Sequence, residues 1–144
     1  MSSAARSCLI FAAVAGALAV ALGAFGAHAL QARVEPARLV VWRTAVDYHF
    51  YHSLALLAVG ILLAHWPHSS ALRWSGALFS VGIGLFSGSL YLLVLTDTRW
   101  LGAVTPLGGL TFIAAWFLLG WGSWRLRDEP ALTGAGRSGS SSPG

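Results

Sequence analysis

Lysine is absent from this chain. All nine basic residues are arginine, and only five acidic residues stand against them. Charged side chains make up 10% of the 144 residues, against about 25% in soluble domains. That scarcity excludes a soluble domain of this size, which would have no polar surface to show to water. It also excludes a nucleic-acid partner, because the arginines are scattered at segment ends instead of gathered in a basic stripe. There is a single cysteine, Cys8, so no intramolecular disulfide can form. It precedes the first apolar run, whereas a lipoprotein cysteine would follow one, and it reads as a small hydrophobe. Missing too are the H-E-x-x-H zinc motif, a phosphate-binding glycine loop and paired carboxylates. The expectation is a protein that is not an enzyme, with no metal site and no committed cofactor.

What the chain has is apolar surface. Hydrophobic residues are 56% of it, and the mean hydropathy is +0.69. Four uncharged runs stand out, the second starting at Tyr48, and the helices read from them span about residues 8–30, 47–66, 74–96 and 100–124. Each approaches the ~20 apolar residues that a spanning helix needs. Trp66, Trp74, Trp100, Trp121 and Trp124 sit at run ends, where amphipathic rings favour the headgroup zone. Trp116 lies deeper and reads as packing. The connections are short, so the expected fold is an all-α, four-transmembrane-helix, up-down antiparallel bundle over residues 1–127. The Gly-, Ser- and Pro-rich stretch 128–144 reads as a disordered polar tail.

The first run ends in "GAFGAHAL", Gly23 to Leu30, whose Ala27-His28-Ala29 resembles a signal-peptidase site. A signal-peptide apolar core is about 7–15 residues long. Here the run continues from Cys8 to Ala27, and Ala19, Gly23 and Ala27 form a small-residue stripe suited to helix packing. The segment is therefore expected to be a retained span. Between the first two runs, Pro36 fits the first turn of a helix, and Leu39, Trp42, Val46 and Phe50 fall near one face. This reads as a short amphipathic helix on the membrane surface, running into the second span.

The polar residues inside the runs are not evenly spread. His28 stands near the end of the first span, His49 and His52 near the start of the second, Ser87, Ser89 and Tyr91 late in the third, and Thr105 early in the fourth. In an alternating topology these lie at one depth, leaving the other half of the bundle nearly apolar. Ionisable groups in spans are costly and tend to face the interior, paired with one another. Asp47, one turn before Tyr51, is placed to orient a histidine. A second set reads as packing: Gly23 on the first span, Gly76, Ser80, Gly84 and Gly88 at four-residue intervals on the third, and Gly108 and Gly109 on the fourth.

Four blocks, "GAFGAHAL", "VWRTAVDYHFYHSLALL", "FSGSLYLLVLT" and "LGAVTPLGG", occur in an order and spacing that resemble the YgdD/YwdK family of small bacterial inner-membrane proteins, a domain family of unknown function with a related small eukaryotic membrane protein. The resemblance covers Gly23 to about Trp121. It implies a small multi-pass inner-membrane protein and no established activity. Where the family pattern often has an amide before its Tyr-His pair, this chain has Asp47.

Three functions compete at this point. The first is a non-catalytic accessory, assembly or structural component of a membrane complex, with the lipid bilayer and other subunits or further copies of itself as partners. The second is a redox module in which His28 and His52, expected at similar depth, ligate a haem or contact a quinone headgroup together with Tyr91, and Gly23 and Gly26 leave room for a flat ring. The third is a small-solute or proton pathway relayed by the histidines and Asp97 in an oligomer.

Overall fold

A computed structural model describes residues 1–126. The polar tail expected over residues 128–144, and Arg127 before it, lie outside the described residues. Within them all regular structure is helical, and four helices are long and apolar enough to cross a membrane: Ser3–Leu30, Pro36–His65, Ser70–Thr96 and Arg99–Arg125.

Local chemistry sets the ends. Ser2 caps the first span, its Oγ accepting from the backbone N–H of Ala5 at 3.2 Å, and so satisfies one of the donors orphaned at a helix start. Pro36 opens the second span at a position where its missing N–H costs nothing. That helix stops at His65, one residue short of the Trp66 that precedes Pro67, since the residue before proline disfavours helical geometry. Ser69 caps the third span, which ends at Asp97 in the left-handed conformation, φ 57°. Aspartate tolerates that geometry better than most residues. A 3-10 turn, Arg99–Ala103, leads into the helix Thr105–Arg125. Two stretches widen to π-helix: Gly26–Leu30 at the end of the first span and Ile83–Gly88 inside the third.

The amphipathic connector is not a separate element. It forms the first turns of one uninterrupted 30-residue helix. No glycine or proline breaks the chain between Pro36 and Gly60, so nothing stops the interfacial turns from propagating into the span. The second span therefore starts about a dozen residues earlier than its apolar run, and every polar residue on it sits deeper than the run alone implies.

Neighbouring spans meet in opposite chain senses. A side chain on Gly60 would strike Leu9, while Trp42 bonds Leu22. Val59 lies against Gly76, and His49 against Tyr91. Gly122 lies against Leu72, and Ser89 bonds Thr105. The main core, Leu56, Val59, Leu63, Leu72, Phe79, Ile83, Phe112 and Ala115, fills the space where the second, third and fourth spans converge, with Ala5, Ala12 and Ala15 of the first span against it. A smaller cluster of Leu30, Trp42 and Val94 closes the other end. The first and fourth spans share no packed face among the described residues, and each leaves a broad apolar surface to the bilayer.

Small residues set how closely the spans approach. A Cβ on Gly108 would fall on the backbone of Phe86, and one on Gly76 would lie 2.8 Å from Sγ of Cys8. A Cβ on Gly23 or Gly109 would make only ordinary contacts, with Val46 at 3.4 Å and the Phe86 ring at 4.0 Å. A Cβ added at Gly84 or Gly88 would meet nothing within 4 Å. The four-residue stripe on the third span is thus packed at Gly76 and open further along, where it was expected to pack throughout.

Candidate functional site

The continuous second helix carries three polar-tipped side chains toward its neighbours in succession, Arg38 half-buried and Trp42 and His49 buried. Arg38 comes first. Its Nη2 donates to the carbonyl oxygen of Val94 at 2.7 Å and lies 3.4 Å from the carboxylate of Asp97. The last carbonyls of a helix have no intrahelical donor, and a cation is favoured at that negative end of the dipole. One turn further, Trp42 is buried and donates its indole N–H to the carbonyl oxygen of Leu22 at 2.9 Å. A Cβ on Gly26 would lie 2.6 Å from the indole ring, so glycine at that position is what admits the tryptophan. The room that Gly23 and Gly26 were expected to leave for a flat cofactor is occupied at Gly26 by Trp42 itself. Tyr91 packs against Trp42, with ring centroids 4.7 Å apart.

Two turns beyond Trp42, Nδ1 of His49 meets the hydroxyl of Tyr91 at 3.3 Å. His49 is 6% exposed. Its ring lines a groove between the first and third spans, floored by Gly84 and Gly88 and walled by Phe11, Val14 and Leu18. The backbone carbonyl of His49 accepts from Ser53 at 2.7 Å.

The remaining polar residues form separate pairs. Ser89 and Thr105 share a hydrogen bond of 3.0 Å between the third and fourth spans. His52 bonds the carbonyl oxygen of Tyr48 through Nδ1 at 2.7 Å, and its ring lies flat on Phe112 with centroids 3.5 Å apart. Ser87 is fully buried, and its Oγ has no partner among the described residues. No group of three or more His, Cys, Asp or Glu that could hold a metal occurs among the described residues.

The family model described as "Protein of unknown function (DUF423)" matches residues 22–109, well over half of the chain. The chain belongs to the DUF423 family. Among its relatives are the UPF0382 membrane protein YwdK of Bacillus subtilis, 45% identical over 77% of this chain and 90% of the relative, and the UPF0382 inner membrane protein YgdD of Escherichia coli K12, 40% identical over 86% of this chain and 94% of the relative. A Staphylococcus saprophyticus UPF0382 membrane protein is 43% identical over 82% and 97%. No solved structure matches the chain. With its four apolar helices, this DUF423 member is a multi-pass protein of the inner membrane.

The structure separates two histidines that the sequence reading had joined. Leu22 and Trp42 mark one level, through their hydrogen bond. His28 lies six residues beyond Leu22, and His52 lies ten residues beyond Trp42 in the opposite direction. At ~1.5 Å per residue that sets them roughly 24 Å apart along the helix axes. One iron cannot take both as axial ligands. His28 is also exposed, with no hydrogen bond among the described residues. The error has one source: His52 stands in the middle of a helix whose start was placed too late. Asp47 is exposed and bonds none of the histidines among the described residues.

Three polar contacts between spans escaped the sequence reading. Arg38 falls in the segment read as a surface helix and was given no role, although Asp97, the one acidic residue between Asp47 and Asp128, marked a partner for it. Trp42 was read as one apolar face residue among several. Ser75, in the half expected to be apolar, donates to the carbonyl oxygen of Ala115 at 2.9 Å. Nothing in its spacing distinguishes it from Ser80, whose Oγ bonds only its own helix at Gly76.

Proposed function

We propose that the protein is a non-catalytic component of a larger membrane assembly, an accessory or structural subunit whose outer spans meet other chains. The observation that carries this reading is the fourth span. Ile113, Trp116, Phe117, Gly120, Trp121 and Trp124 line an open surface groove of about 590 Å³. Trp116 is 50% exposed and stands near the middle of its helix. Tryptophan is favoured at membrane interfaces, where its N–H can reach water or headgroups. At mid-bilayer an indole N–H without a protein partner is out of place against lipid and well placed against another helix. No hydrogen bond engages it among the described residues. Gly120 beside it permits close approach by a partner backbone. A solute or proton route has less support, because the polar side chains form separate pairs instead of a continuous relay.

The test is co-purification of the tagged full chain in mild detergent. The wild type is expected to elute with at least one further membrane protein in fixed proportion, and Trp116→Ala and Phe117→Ala to release it while the chain stays helical. A wild-type chain that elutes alone, unchanged by either substitution, refutes the proposal.

A further inference from the structure

The groove between the first and third spans is a built site and not merely a gap. Its cavity measures about 260 Å³ and has His49 and Tyr91 at one end. A second cavity of about 280 Å³ shares Phe11 and Ser80 with it and continues toward Arg73. The floor is bare backbone at Gly84 and Gly88, and the exposed side chains of Phe11, Val14 and Leu18 open the wall to the bilayer. Ligand sites of this kind are mostly apolar, with a few polar groups that fix orientation.

The polar pair is incomplete. A neutral histidine has one donor and one acceptor nitrogen, and a tyrosine hydroxyl can do both. If the Tyr91 hydroxyl donates to Nδ1, the Nε2–H of His49 and a lone pair of Tyr91 remain unfilled. If Nδ1–H donates to Tyr91, the tyrosine O–H and the Nε2 lone pair remain unfilled. Either tautomer therefore presents one open donor and one open acceptor, and no other side chain bonds the pair among the described residues. Hydrocarbon supplies no partner for them.

Depth narrows the occupant. Tyr91 lies six residues before Asp97, about 9 Å inside the level of the Arg38–Asp97 pair. The groove's lining holds no charged residue, so a charged headgroup finds no partner there. An uncharged head carried wholly within the bilayer does find one. We propose that this groove binds a lipid-soluble quinone. A carbonyl oxygen accepts from the open donor, the ring lies on the bare backbone of Gly84 and Gly88, and the tail runs past Ser80 toward Gly76. The corresponding quinol fits the same pair by donating to the open acceptor. This site keeps Tyr91 from the quinone arrangement read from the sequence but takes His49 in place of His28 and His52, and it stands apart from the accessory role, which co-purification tests separately.

The test titrates the full chain in lipid nanodiscs with a decyl-substituted benzoquinone and follows tryptophan fluorescence, which Trp42, packed on Tyr91, makes sensitive to the site. Saturable quenching is expected in the wild type. Gly84→Leu, whose Cβ would meet nothing within 4 Å, is expected to weaken it at least about tenfold, and Tyr91→Phe about tenfold, the worth of one strong hydrogen bond. Gly88→Leu repeats the blocking test if Gly84→Leu fails to fold. Three results overturn the proposal: no saturable quenching in the wild type, equal quenching in the variants that fold, or displacement of the quinone by decylbenzene at equal concentration, which would mean that the groove recognises only an alkyl chain.

Discussion

The same substitution is expected to act with opposite sign at two glycines on facing helices. At Gly108, alanine would place its Cβ 2.7 Å from both Cα and Cβ of Phe86 and closer still to the Phe86 nitrogen. These are mainly backbone atoms and cannot rotate away. Restoring ordinary contact near 3.4 Å requires the third and fourth spans to part by about 0.7 Å or more, and overpacking of this kind costs about 1–3 kcal/mol. The Ser89–Thr105 hydrogen bond one turn away, at 3.0 Å, would stretch beyond useful length and forfeit about 0.6 kcal/mol more. Alanine's better helix propensity returns about 1 kcal/mol. The net is a loss of about 2 kcal/mol. At Gly84 the new methyl meets nothing within 4 Å, so only the propensity gain remains. Thermal melting of the detergent-solubilised full chain, read by the fraction still monodisperse after heating, should place Gly108→Ala several degrees below the wild type and Gly84→Ala at or above it. A Gly108→Ala protein that melts with or above the wild type would refute the close approach at Phe86, and with it the packing assigned to the third and fourth spans.

Other expectations follow from single contacts. Arg38→Ala leaves the Val94 carbonyl without its charge-assisted donor and should cost about 1.5–3 kcal/mol in an SDS-unfolding titration, whereas Asp97→Asn, at an exposed carboxylate, should change little. Equal effects would mean that the ion pair, and not the carbonyl contact, is what Arg38 supplies. Ser75→Ala should lose about 0.6 kcal/mol, and no more than about 1.7, in the same titration; no loss would deny the bond to Ala115. His28→Leu should leave the melting temperature unchanged within about a degree, because His28 is exposed and surface substitutions of this kind are nearly neutral. A clear fall would show that His28 is packed in the folded protein.

The spans were legible because the bilayer imposes a length and a composition that a sequence cannot hide. Their starts were less so. Hydropathy reports where charge ends, not where helix begins, and the second helix begins in a charged segment at Pro36. That difference moves His49 and His52 inward, and it explains why one polar depth was expected where the structure has several. Ser89 and Thr105 meet across the connection that joins their spans, whereas His49 and Tyr91 meet at the end of the second and third spans remote from the connection at residues 66–69. His28 and His52 do not, because they lie on opposite sides of the Trp42–Leu22 level.

The small residues make the same point from the other side. Gly76, Ser80, Gly84 and Gly88 are equivalent in a sequence: four positions on one face at constant spacing. What distinguishes them is the neighbouring first span, whose Cys8 reaches Gly76 and whose course further along leaves Gly84 and Gly88 uncovered. A repeat of small side chains therefore specifies that something may approach closely, without specifying what. At Gly76 the answer is the chain's own first helix. At Gly84 the place is open, and the unfilled donor and acceptor of the His49–Tyr91 pair stand beside it. Packing stripe and binding groove are one feature of the third helix, divided at about Ser80 by where the first helix turns away.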